Sequence, residues 1–128
     1  MEIIRHIKVD LYGDTQHFAV AAKQMDMGTR YIGVTLMEDG VVYEISYKYE
    51  HPIFLKGFGI VYPDFTFLSR KTGEEIYWEH DGRMDDPEYA RNAIRKIETY
   101  EKNGIFPGQK LILTFETLQD GLDMKVVE

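Results

Sequence analysis

Two carboxylates stand at the ends of apolar stretches, Asp64 in "VYPDF" and Glu79 in "YWEHDG". A hard divalent cation such as Mg2+ (or Mn2+) takes oxygen ligands from one or two carboxylates and keeps several waters. Such a cation activates water and neutralises charge building on a phosphate. Asp64, Glu79 and the backbone carbonyl of the next residue, His80, are the metal ligands this pattern would offer. Glu50 ends "YKYE" much as Glu79 ends "YWE", which makes it a third candidate acid. The spacing alone leaves a second reading open, two solvated acids at turns. The His80 side chain could act as a base or touch phosphate, but alternation puts it on the opposite sheet face from Glu79. A buried, hydrogen-bonded histidine fits that position better. Trp78 and the phenylalanines read as core rather than as platforms for bases, and Asp85 and Asp86 read as helix caps.

The elements that must position these residues differ along the chain. In "IRHIKVDL", Ile7, Val9 and Leu11 alternate with polar neighbours, the period of a half-buried strand. "GDTQ" breaks it, and "HFAVAAK" and "TRYIGVTLM" follow as strands separated by "QMDMG". Asp39-Gly40 signals a hairpin turn, and "VVYEISYKY" returns as one strand. The next stretch, "YEHPIFLKGFGIVYPDF", reads as two strands with a turn around Lys56-Gly57. "FTFLS", "RKTG" and "EEIYWEH" read as strand, turn and strand. A helix over about 86–103 is the clearest element. Asp85 and Asp86 are cap candidates, Glu88 closes a capping box with Asp85, Pro87 suits the first turn, and Asn103-Gly104 supplies the C-cap. "KLILTFE" is an apolar run suited to a sheet interior. Strand, helix and strand make a crossover unit. The predicted class is α/β (α+β mixed): a β-meander segment, 1–45, packed with a mixed sheet and one long helix, 46–128, in one compact body.

Composition narrows the function classes. The chain has 128 residues, no cysteine and a formal net charge of −7. One domain of this length can bury a core without staples. Disulfides, thiolate metal sites and cysteine nucleophiles are excluded. No apolar run approaches a membrane span, and the first residues do not read as a secretory leader. The expectation is a cytoplasmic protein, bacterial or phage-encoded, with a virion as the other location and no membrane partner. The negative charge argues against coating nucleic acid by broad phosphate neutralisation, although metal-binding acids contribute to that count. There is no glycine-rich phosphate loop and no Ser/His/Asp pattern.

Residues 46–128 resemble the small PD-(D/E)XK-type nuclease-like proteins. The resemblance rests on "YPDF", "WEH" followed by a glycine, "MDDPEYA", "KI" with "NGI" and "PG", and "LILTFE". It implies a mixed sheet flanked by helices and divalent-metal-dependent cleavage of DNA or RNA. Residues 1–45 are similar, over a shorter stretch, to the amino-terminal β region of phage baseplate upper proteins, which implies a phage context or a chimaera of two parents. Two departures stand out. The first helix of the nuclease-like pattern is missing, with the strands of 1–45 in its place. The position two residues after Glu79, where the pattern wants a lysine, is Asp81.

Relatives of this kind can carry the lysine on the helix instead, and that implies Lys96. On a helical wheel Tyr89, Ala93, Ile97 and Tyr100 form the apolar arc with Lys96 at its edge. The alternative is a surface lysine lying along apolar neighbours. The expected catalytic set is therefore Asp64, Glu79, Lys96 and Glu50, with nucleic acid as substrate. The rival expectation is a structural or interaction protein of phage origin, or a chimaera, that uses the scaffold without catalysis. A homodimer is expected to complete the thin core.

Overall fold

The computed structural model describes residues 2–25, 28–117 and 121–123. Four strands form the first sheet in sequential antiparallel order: β1 (Glu2–Leu11), β2 (Asp14–Met25), β3 (Gly28–Glu38) and β4 (Val41–Glu44). Tyr12-Gly13 and Asp39-Gly40 make two of the turns, all four residues at positive φ. The break expected across "GDTQ" is only the Tyr12-Gly13 turn, since Asp14 already pairs with Leu11. Asp26 and Met27, within "QMDMG", lie outside the described residues.

The expected single strand "VVYEISYKY" is two. The chain leaves the first sheet after Glu44 and enters a second at β5 (Tyr47–Tyr49). A hairpin follows, β6 (Ile53–Leu55) and β7 (Gly59–Val61), and then β8 (Phe65–Leu68) and β9 (Glu75–Asp81). Helix α1 (Pro87–Lys102) carries the chain to β10 (Leu111–Thr117), which pairs parallel with β9, and β11 (Gly121–Asp123) closes the edge. The second sheet runs β11-β10-β9-β8-β5. Asp86, not Asp85, caps the helix: its Oδ1 accepts the backbone N–H groups of Glu88 (3.0 Å) and Tyr89 (3.2 Å), with Pro87 in the first turn. At the other end Asn103 also bonds both backbone groups of Lys56, tying the helix to the hairpin turn.

Alternation on β9 sorts its side chains to two faces. Ile76 and Trp78 face the first sheet and join Ile7, Val9, Phe18, Val20, Leu36, Phe65 and Ile112 in one buried core. Tyr77 faces the helix side with Leu111, Leu113, Leu55, Val61 and Tyr100. The molecule is thus layered as sheet, sheet, then helix with hairpin. The first sheet covers one face of the second. A bulge in β3, where Ala21 pairs with Gly33 and Ala22 with Tyr31, skips Ile32. It lets Tyr31 and Val34 both point inward despite their odd spacing.

Candidate functional site

Strand register brings the two acids together. β8 and β9 pair Phe65 with Trp78, and Asp64 and Glu79 are the chain neighbours of that pair, Asp64 in the bend before β8. Glu79 turns toward the helix, and Asp64 lies close enough for the charges of Glu79 and Asp81 to act on it. Asp64 is held in place by the His80 backbone N–H, which donates to its Oδ2 (2.7 Å). Asp81, two residues after Glu79, lies on the same face and is 3% exposed.

The helix answers with two side chains one turn apart. The Tyr100 hydroxyl donates to Glu79 Oε2 (2.8 Å), and Lys96 Nζ lies 3.6 Å from Glu79 Oε1. Lys96 is thus the cation that the helix brings to Glu79. Glu50 stands nearby without joining the group. Its backbone N–H donates to the Asp64 carbonyl (3.1 Å), while its side chain pairs with Arg30 (2.7 Å).

Burial dominates the electrostatics. It pushes the Asp64 carboxyl up to about 7, and the charges of Glu79, Asp81 and Glu50 add to the rise while the His80 N–H opposes it. Burial also raises Glu79, against the pull of Lys96 and Tyr100, and raises Asp81, against Lys96. Tyr100 is raised by burial and by the charge of Glu79. Three acids thus share one low-dielectric face with one lysine.

Asp64 and Glu79 are the residues here that could hold a hard divalent cation. Asp64 and Glu79 offer oxygen ligands on one face, and an ion there would offset the surplus of carboxylates over Lys96. Among the described residues no group of three His, Asp or Glu side chains is gathered to hold an ion. Mg2+ needs only one or two carboxylates and keeps several waters. His80 contributes its N–H to Asp64, and its ring belongs to the other face.

That other face holds a polar network the sequence did not announce. The His80 ring stacks on Tyr31 at 4.0 Å between centroids, and its Nδ1 lies 2.8 Å from Thr114 Oγ1. Burial drives the imidazole down to about 4, so it is neutral near pH 7. Glu116, 2% exposed, accepts from Arg5 (3.0 Å) and from the Thr29 backbone N–H (2.8 Å). These contacts clamp the first sheet to the end of β9 and β10.

No protein-family model matches the chain, and neither a curated protein nor a solved structure is significantly similar to it. Among the described residues no helix is long and apolar enough to cross a membrane.

Proposed function

We propose that this chain is a PD-(D/E)XK-type nuclease-like protein that hydrolyses nucleic-acid phosphodiesters with Mg2+ or Mn2+. The observation that supports it most is the approach of Lys96 to Glu79, with Asp64 near enough to feel the charge of the same glutamate. Asp64 and Glu79 would hold the cation, which when bound activates water and neutralises charge on the phosphate. Tyr100 fixes one oxygen of Glu79 and Lys96 neighbours the other, so the carboxylate arrives oriented. The Lys96 side chain is 23% exposed, enough for its ammonium to hold a water at the rim of the face. In this reading Lys96 does the work that the pattern assigns to position 81, and Asp81 weakens the enzyme by adding charge of the wrong sign. The phage resemblance of 1–45 belongs to the same proposal, as the source of the sheet that replaces the missing helix.

The test is direct. Purified protein is incubated with plasmid DNA and with RNA in Mg2+ or Mn2+. Cutting is expected, and it stops when a chelator is added. Asp81→Lys is expected to raise the rate. If wild type and Asp81→Lys are both inert across metals and substrates, the enzyme reading fails. A structural or interaction scaffold then takes its place; Asp81, an acid where the pattern wants a cation, favours a weak enzyme or none.

A further inference from the structure

Beside Asp64, where the start of β3 meets the end of β9, lies an open cavity of about 220 Å³. Its walls include Arg30, Asp64, His80, Arg83 and Tyr89. They come from both sheets, from the loop after β9 and from the helix. The two backbones close in tightly there: Gly28 has φ +119°, and a Cβ on it would lie 2.8 Å from the Gly82 carbonyl oxygen.

Arg83 Nε is buried with no hydrogen-bond partner among the described residues; His80 Nε2 also lacks a hydrogen bond but lies 4.0 Å from Glu116 Oε1. The His80 side chain is 2% exposed. A buried donor left unpaired is costly, so the walls hold unused capacity for an acceptor. Among the described residues Arg83 gives one nitrogen to protein, Nη2 to Asp86 (3.2 Å), and its guanidinium lies over the Tyr89 ring. Arg30 donates from Nε to the Tyr49 hydroxyl (2.9 Å) and from Nη2 to Glu50 (2.7 Å). Both ion pairs are solvent-exposed, so each holds its arginine weakly. Two guanidinium forks flanking a small cavity match the oxygens of a phosphate. The volume equals roughly seven waters' share of liquid, which suits one phosphate group with part of its shell.

We propose that this cavity binds a phosphodiester of the nucleic-acid strand beside the Asp64–Glu79 face, with Arg30 and Arg83 as its positioning residues. The proposal rests on the phosphodiester reading of that face and gives the first sheet a part in it. Through Arg30 the segment that replaces a helix also supplies a wall of the substrate site.

The experiment follows binding of a short fluorescently labelled single-stranded DNA by anisotropy across a salt series, with Ca2+ in place of Mg2+. Arg30→Ala and Arg83→Ala are each expected to weaken binding several-fold and to make the salt slope shallower by about one. Arg70→Ala, which removes an arginine paired with Glu38 far from the cavity, leaves both unchanged. Arg30→Lys keeps the slope and loses part of the affinity, which separates a lost contact from a lost fold. Wild-type binding that neither alanine variant disturbs overturns the proposal, as does a wild type that binds no oligonucleotide. Inorganic phosphate is the second probe, and it is expected to compete only weakly. Tight phosphate binding abolished by Arg30→Ala, with no DNA binding, would reassign the cavity to free phosphate and overturn the phosphodiester assignment. A chain that binds DNA through Arg30 yet never cuts keeps this site and loses the enzyme. One whose cutting is untouched by Arg30→Ala keeps the enzyme and loses this site.

Discussion

Lys96 and Glu79 meet across the gap between helix and sheet, Nζ to Oε1 at 3.6 Å. They are the pair on which a catalytic reading stands or falls. If the face is an active site, Lys96→Ala slows cutting by about a hundredfold, the usual scale for losing one preorganised charge. It leaves metal binding nearly intact, because lysine acts on the water. Asp64→Ala abolishes cutting by removing a direct ligand. Rates from a plasmid-nicking assay, set beside calorimetric titration of Mn2+, separate the two effects.

Tyr100→Phe tests the same glutamate as a matter of stability. It deletes the hydroxyl that donates to Glu79 Oε2 at 2.8 Å and leaves a buried carboxylate oxygen short of a partner. The expected cost is about 1–3 kcal/mol, read as a shift in the urea midpoint with an unchanged slope.

The raised Asp64 carboxyl makes a prediction about pH. Its ordinary value is 3.8 and its folded value about 7, so the native state holds the extra proton between those limits. Stability from this group is fullest below about 4, falls as pH rises, and levels off above about 7. His80 works the other way. Its folded value near 4 lies below the ordinary 6.5, so its contribution grows over about pH 4 to 6.5. The two partly cancel in the wild type. Asp64→Asn removes only the first, so its melting temperature relative to wild type should climb between pH 4 and 7. A flat difference would show that Asp64 titrates normally. Divalent cation should stabilise wild type more at pH 8 than at pH 5, because it needs the ionised acids.

Glu116→Ala should be among the most damaging single changes. It strands the Arg5 guanidinium and the buried Thr29 N–H together. Breaking a buried charge pair from one side typically costs about 3–5 kcal/mol. Chemical denaturation gives the number, and Glu116→Gln, which keeps the shape and one acceptor, should cost less.

A chain of residues 46–128 alone should aggregate or fail to fold. Without the first sheet, Phe65, Phe67, Ile76, Trp78 and Ile112 lose their cover. An apolar patch of that kind is not left wet in a stable monomer. A sharp, monomeric NMR spectrum from this fragment would show that the first sheet is dispensable.

Some of this was written locally in the chain. Asp86, Pro87 and Asn103-Gly104 each act on their own helix end, so the helix was legible to within a residue or so. The ends of apolar runs singled out Asp64 and Glu79, and the helical wheel put Lys96 at the edge of the apolar arc, which is where it approaches Glu79. The alternation that sends His80 away from Glu79 also places Asp81 beside Glu79. Other features depend on partners far along the chain. "VVYEISYKY" has an unbroken strand pattern, and nothing in that pattern says which sheet each half joins. Arg5 and Glu116 are 111 positions apart and belong to no motif. β11 is three residues long and carries no periodic signal.

The two sheets also differ in how they can be assembled. β1 to β4 pair only with their neighbours in sequence, so the first sheet closes through short loops. The second must bring β5 past a hairpin to β8 and β9 across a helix to β10. Non-local pairings of this kind form slowly. A ribosome therefore releases a meander able to fold, with Ile7, Val9, Phe18 and Val20 on one face, well before Trp78 and Ile112 emerge to cover it. During that interval the nascent chain carries an uncovered apolar sheet, the kind of surface that chaperones hold.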